Sequence, residues 1–512
     1  VLLGVLMAVM FAAESYAAIE VGGTIDVRGR WRENNNDVNE NEAGSTAFWQ
    51  EKVNLWVDAK VAEGLKGYVE LMSGYGASKG WFYWGQSRTS DAAPNSVLYE
   101  NNSFGFMQIR YAYIDFMIPS TPVGIKIGHM PVVLGHSIWA DTKIWGSDGM
   151  LLYVVPIKEL MIALGTLKGY ETASNTDRTD ADLYVFMLNY TFMPKNTAGF
   201  NASYIHRSGA SGWGDETTET PAGDGDGYPD TTESGYRALG VATAWGNTNS
   251  ADGTLFSRIN DVKVWNIMLT VDGQLDFGLG YKFEVDKQFG TLIDRSEANS
   301  VDIKASGLAV LAGASFTIPG APVTVGFDAA YGSGDKCSRW ADNINPSKGI
   351  ACATTYADGA YTRTGTGTKY EGYFNFNDYG YTMIYEDIVG QKRTRGTKNS
   401  TGTYTSGLTS ADFGLYNTWY AKLGASAAPI KDMSVGLDLY YLNAVVERYY
   451  GQKKHIGWEA DLNFSYNIYK NLKWTFLAGY FIPGKHYEAI DASDYTKDDS
   501  AWAFEQKLSL KF

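Results

Sequence analysis

Several short patterns in this chain carry residue types that chemistry uses. Pro221-Ala-Gly-Asp224-Gly-Asp226-Gly-Tyr-Pro-Asp230 sets carboxylates along a glycine-bearing loop. Hard oxygen ligands on such a turn suit Ca²⁺, which gathers roughly 6–8 oxygens. The run occurs once, so Asp224, Asp226 and Asp230 read either as a structural calcium site or as a solvated acidic loop. Gly76-Ala-Ser78-Lys-Gly80 has the spacing of a hydrolase nucleophile elbow. That chemistry needs a strand-turn-helix and an Asp–His pair, whereas Trp81-Phe-Tyr-Trp84 follows, so the match is accidental. Gly479 to Lys485 nearly spells a phosphate loop, but His486 stands where Ser or Thr must hold Mg²⁺. The 5 histidines are scattered without metal spacing, and no catalytic constellation emerges. The expectation is a non-enzyme that requires no cofactor.

The remaining titratable residues fall on one side of alternating runs. Ile19, Val21, Ile25, Val27 and Trp31 alternate with Glu20, Thr24, Asp26, Arg28 and Arg30. Leu275, Phe277, Leu279, Tyr281, Phe283 and Val285 alternate with Gln274, Asp276, Gly278, Lys282, Glu284 and Asp286. Ile456, Trp458, Ala460, Leu462, Phe464, Tyr466 and Ile468 alternate with Glu459, Asp461, Asn463, Ser465 and Asn467. Period two means strands with unlike faces. A soluble sandwich alternates too, but it does not set aromatics on one side of so many long strands with charges opposite. Lipid outside and water inside explain the pattern better. Parity then puts basic Arg28, Arg30, Lys52, Arg110 and Lys126 on one arc of the lumen. Acidic Asp276, Glu284, Asp328, Asp438, Glu459 and Asp461 fall on the opposite arc. Opposed walls of unlike sign orient polar solutes and exclude greasy ones.

The connections alternate in length. Short links at Glu63–Gly67, Pro119–Pro122, Met193–Asn196, Asp272-Gly273, Pro319–Pro322, Pro429–Asp432 and Tyr469–Asn471 separate long polar loops. The longest loops lie near 208–260 and 333–412. The expected fold is all-β: a closed antiparallel transmembrane barrel of about 18 strands, with short periplasmic turns and long extracellular loops. Composition agrees, with Tyr 35, Trp 15 and Gly 57 for interface girdles and tight turns. The net charge of −14 argues against nucleic-acid binding. Val1 to Ala13 is apolar and runs into Glu14-Ser-Tyr-Ala17-Ala18. It is shorter than the roughly 20 residues a membrane helix needs. Residues 1–17 are therefore expected to be a signal peptide truncated at its start, with 18–512 forming a single barrel. In an exported chain, Cys337 and Cys352 read as a disulfide closing a surface loop, and no Cys-x-x-Cys-His attaches a haem.

The last strand, Trp502-Ala-Phe504-Glu-Gln506-Lys-Leu508-Ser-Leu510-Lys-Phe512, ends on an aromatic. It resembles the C-terminal signal of bacterial outer-membrane barrels, which implies an outer-membrane location. Ile125-Lys-Ile-Gly-His129-Met130-Pro131-Val-Val-Leu134-Gly135-His136, with Asp141 and Ile144 to Leu151, resembles the alginate-export-type porin family of 18-stranded barrels. There the strand ends in Gly-Arg-Gln and continues through Leu-Gly to an Asp-bearing loop, whereas here His129-Met130 replaces Arg-Gln. The resemblance implies a channel in contact with outer-membrane lipid and lipopolysaccharide. Pro131 ends the strand by removing a ladder donor. The following loop is expected to enter the lumen with Trp139 and Trp145 buried and Asp141, Lys143 and Asp148 toward the pore. The leading reading is a porin for small hydrophilic or charged solutes. The alternatives are a barrel sheathing a periplasmic or surface multihaem cytochrome, or a polysaccharide exporter, with adhesion through the largest loops left open.

Overall fold

A computed structural model describes residues 18–34, 46–73, 81–84, 107–170, 181–207, 262–293, 303–334, 354–357, 360–363, 369–374, 380–385, 414–446, 453–487 and 499–512. The expected signal peptide, Asp224, Asp226, Asp230, Cys337 and Cys352 lie outside the described residues.

Among the described residues, eighteen long strands form the wall, and three short ones, Phe82–Tyr83, Ile303–Ala305 and Lys369–Tyr370, pair onto the same sheet. The long strands are β1 (Ala18–Glu33), β2 (Thr46–Ala62), β3 (Leu65–Ser73), β4 (Met107–Met117), β5 (Val123–Met130) and β6 (Ser147–Ile157). Next come β7 (Leu160–Tyr170), β8 (Ala181–Met193), β9 (Asn196–Arg207), β10 (Val262–Gln274), β11 (Leu279–Ile293) and β12 (Leu308–Thr317). The last six are β13 (Val323–Gly332), β14 (Thr418–Ala427), β15 (Met433–Ala444), β16 (His455–Tyr469), β17 (Leu472–Pro483) and β18 (Ala501–Lys511). Each pairs antiparallel with the next, and β18 pairs back onto β1 from Thr24↔Lys511 to Glu33↔Trp502. Pairing of the last strand with the first closes the wall, so its backbone is hydrogen-bonded strand to strand around the circumference. The last residue is part of the seam. Phe512 donates its N–H to the Gly23 carbonyl at 3.0 Å and accepts from the Gly23 N–H at 2.9 Å.

The outer face is apolar around the whole circumference. Ile109 is 59% exposed, Leu164 54%, Phe327 51% and Leu423 61%. A belt this continuous is foreign to a water-facing surface and natural against hydrocarbon. Aromatics flank it at both rims. Near the long-loop rim, Tyr204 meets Trp265 at 4.7 Å and Tyr441 meets Trp458 at 4.8 Å. Phe192, Phe277, Tyr466, Tyr469 and Phe512 are exposed near the short-turn rim. Leu423→Arg is expected to cost about 2–4 kcal/mol, the range for a cation at the bilayer midplane. Denaturant-dependent refolding in lipid vesicles reads this cost, and an unchanged midpoint would place that face outside the lipid.

One short link differs from expectation. Asp272-Gly273 reads as a tight turn, yet β10 runs through both residues. The chain reverses at Leu275–Gly278 instead. There Gly278 donates to the Leu275 carbonyl at 2.9 Å and takes φ +96°, a conformation that suits a residue without Cβ. Asp276 therefore sits exposed in a rim turn and not on the lumen wall. A further short turn at Lys158-Glu159 joins β6 to β7.

Candidate channel constriction

The lumen is narrowed by chain, not only by side chains. Beyond Met130, residues 131–146 leave the wall and fold inward. The segment braces itself: Val133-Leu134 pairs with Ala140-Asp141, and Thr142 hydrogen-bonds to both backbone groups of Val132. Met130, Leu134, Ile138 and Trp139 are fully buried. The Trp139 indole N–H donates to Ser203 Oγ on β9 at 2.8 Å, which satisfies the one polar atom of a large apolar ring. Trp139 also meets Phe374 edge-on at 5.6 Å.

Phe374 belongs to a second inward segment, residues 369–374, followed by 380–385. Tyr373 is completely buried, and its hydroxyl donates to Asp286 on β11 at 2.9 Å. Burial, reinforced by the Asp286 and Glu284 carboxylates, pushes the Tyr373 phenol well up, so it stays a donor. Gln288 Nε2 donates to the Phe374 carbonyl at 2.6 Å. Farther round, Glu459 accepts from the Ile384 N–H at 2.5 Å and the Tyr385 N–H at 3.0 Å, and Asp461 accepts from Met383 at 3.0 Å.

The first segment is anchored by His136. Its Nδ1 lies 2.6 Å from Glu284 Oε2 and its Nε2 lies 2.5 Å from Asp272 Oδ1. Its backbone N–H also donates to Glu284, at 2.5 Å. A carboxylate only accepts, so both ring nitrogens must carry protons. Burial lowers the His136 pKa, but the hydrogen bonds from Asp272 and Glu284 outweigh it and raise the value to about 9. At the other end of the segment, Arg110 donates to Glu70 at 2.7 Å, to the Lys143 carbonyl at 2.6 Å and to the Ile144 carbonyl at 3.2 Å. A β-bulge beside Glu70 lets adjacent Arg110 and Tyr111 both reach this region, and the Tyr111 hydroxyl also donates to the Lys143 carbonyl.

The expected site residues are thus divided by environment. Trp139 is buried in the lumen, whereas Trp145 is 37% exposed. Asp141 is tucked beneath Lys143, which it binds at 2.8 Å. Asp148 shares the outward register of Met150 and Leu152 and pairs with His129 at 2.8 Å, away from the pore. Half of the acidic arc is occupied by anchoring, through Glu284, Glu459 and Asp461, and Glu284 and Glu459 are 0% and 2% exposed. Asp328 and Asp438 instead line an open cavity of about 450 Å³ in the half nearer the short turns. The basic arc is compensated locally as well. Arg28 and Arg30 both pair with Glu505 of β18, and Arg28 lies 3.7 Å from the Trp81 ring centre. Lys52 lies 5.2 Å from the same ring and Lys126 lies 4.2 Å from that of Tyr113. The simple segregation of sign expected from parity is therefore broken by Glu70 and Glu505 on one side and by Lys282 and Lys422 on the other.

Sequence reasoning missed the second segment and the role of His136. The aromatic density of Tyr370-Glu-Gly-Tyr373-Phe374-Asn-Phe376 and Tyr379–Tyr385 within a Gly/Thr-rich loop was the available signal.

No family model and no curated protein matches the chain. Solved structures do match. OccK2 (OpdF) of Pseudomonas aeruginosa in complex with glucuronate is 10% identical, with TM-score 0.50, covering 96% of this chain and 98% of that one. OccK5 (OpdH) of Pseudomonas aeruginosa is 10% identical, with TM-score 0.47 and the same coverage. Pseudomonas aeruginosa OpdK with vanillate is 8% identical, with TM-score 0.47, again over 96% and 98%. The likeness to OccK2 is one of fold, a closed antiparallel 18-stranded barrel.

Proposed function

We propose that this chain is an outer-membrane channel that passes small hydrophilic solutes, with its apolar belt set in lipid and its long-loop rim against lipopolysaccharide. The observation that carries the reading is the constriction itself. Two inward segments, pinned to wall carboxylates by backbone and side-chain donors, narrow a lumen whose other half keeps an open cavity of about 450 Å³ that Lys282, Asp328, Lys422 and Asp438 line. A sheath around a multihaem cytochrome needs the lumen free for its passenger. Polysaccharide export needs a continuous basic lining, and Asp328, Asp438 and Asp461 interrupt it. The alginate-export resemblance also rests on a segment in which His129-Met130 replaces Arg-Gln. A size range near that of glucuronate, the molecule bound in OccK2, suits the cavity. Charge compensated wall by wall gives modest ionic selectivity that weakens as salt screens it.

Purified, heat-modifiable protein in planar bilayers is expected to show discrete conductance steps and a reversal potential that moves toward zero at high salt. Folded protein that carries no current, yet binds a cytochrome, would replace this reading with the sheath.

A further inference from the structure

The cavity in the short-turn half is a built recess with a distinctive charge order. Four side chains run along its wall as Lys282, Asp328, Lys422 and Asp438, carried by β11, β13, β14 and β15. Lys282 lies 3.0 Å from Asp328 Oδ1 and Lys422 lies 2.7 Å from Asp328 Oδ2, so one carboxylate holds two ammonium groups close together. The intervening strand β12 contributes Gly313, in register with both Lys282 and Asp328. A Cβ there would strike the Asp328 carboxylate and the Lys282 stem, so the cross-strand pair depends on that glycine.

The end of the row is different. Asp438 reaches Lys422 only at 3.8 Å, beyond hydrogen-bond range, and is 29% exposed to the cavity. The neighbouring strand's carboxylate in register with it, Asp461, lies outside the lining and is occupied by the Met383 N–H, so Asp438 is the carboxylate that the cavity presents at this end. The loosely held carboxylate of Asp438 makes that end cation-seeking, while the paired ammonium groups of Lys282 and Lys422 make the other end anion-seeking. The rest of the lining is glycine and alanine with the hydroxyls of Ser315, Thr324 and Ser426, the amide of Asn463 and the phenol of Tyr281. A cavity of this size matches small-ligand sites, which begin at roughly 300 Å³.

We propose that this recess is a binding subsite for a small zwitterion of the α-amino-acid type. The carboxylate of the solute bridges Lys282 and Lys422, and its ammonium sits on Asp438. A simple carboxylate gains the lysines but meets Asp438, and a simple amine meets the reverse. Only a molecule bearing both charges satisfies the row from end to end. The inference rests on the channel reading, since solutes reach the recess through the lumen.

Current through the reconstituted full chain tests it, with alanine, propionate and ethylamine added at matched ionic strength. Alanine is expected to interrupt the current at concentrations at least threefold below those needed for propionate or ethylamine. Asp438→Asn should raise the concentration of alanine needed about tenfold. Ser426→Leu, which fills the recess without altering charge, should abolish the difference among the three probes. Heat-modifiability establishes that each variant folds. An open, conducting barrel in which alanine acts no better than propionate, or in which both variants behave as the wild type, overturns the subsite and leaves the channel standing. A folded barrel without any ionic current overturns both.

Discussion

Removing Ser137 to Ile144 is expected to raise single-channel conductance severalfold. The deleted stretch carries Ile138 and Trp139, both fully buried, and the second arm of the small hairpin at Ala140-Asp141. Without Trp139, the rings of Tyr373 and Phe374 lose the neighbour they meet at 6.4 and 5.6 Å. The two inward segments support one another, so loss of the first loosens the second. Truncating a buried aromatic costs about 3–5 kcal/mol in a soluble core. Here that cost falls on the lumen filling, because the wall is held independently by its closed ladder of strand pairs. The barrel should therefore still assemble, as heat-modifiability would show, while its pore widens. Trp139→Ala should give a smaller rise in the same direction. If the deletion leaves conductance unchanged in planar bilayers, this segment is not the restriction, and the sheath reading gains.

The wall was legible in the sequence because its rule is local. Each residue faces lipid or lumen, and the two solvents differ so much that period two persists in strands as far apart as Ala18–Glu33 and Ala501–Lys511. The error at Asp272-Gly273 shows the limit of local turn chemistry. Those residues have a turn composition, but Asp272 is held in β10 opposite Lys282, with its carboxylate on His136. Long-range pairing outweighed a short-range preference.

What parity could not supply was the partner of each inward charge. Glu459 and Asp438 both face inward in neighbouring strands. One accepts backbone amides of a segment 74 and 75 residues away in sequence, and the other lines a cavity. Glu284 meets His136 across a separation of 148 residues. Nothing in the spacing around either residue encodes such contacts. They follow from where a long loop settles once the barrel encloses it. The same limit explains why Asp148 was expected in the pore. Its place is set by the register of β6, two residues above outward-facing Met150.

Raising the pH from 7 to 10 is expected to increase conductance through a step centred near pH 9, and His136→Gln should remove that step. His136 titrates ordinarily near 6.5 and is held up at about 9 by Asp272 and Glu284. A value raised in the docked state means that the proton stabilises docking. That contribution is complete below about pH 6.5, where the ring is charged whether docked or free, and it is lost as pH climbs through about 9. The neutral ring can donate to only one of its two carboxylates and leaves the other facing a bare nitrogen lone pair. Hydrogen bonds to charged groups contribute about 1.5–3 kcal/mol each, enough for one such loss to shift a docked segment toward release. The backbone N–H of His136 still donates to Glu284, so the segment loosens and does not detach. Gln keeps a donor but has no proton to lose in this range, so its conductance should be flat between pH 7 and 10. A step of equal size in the variant would assign the pH dependence to other groups, and a flat wild-type profile would show that the His136 contact does not control the pore.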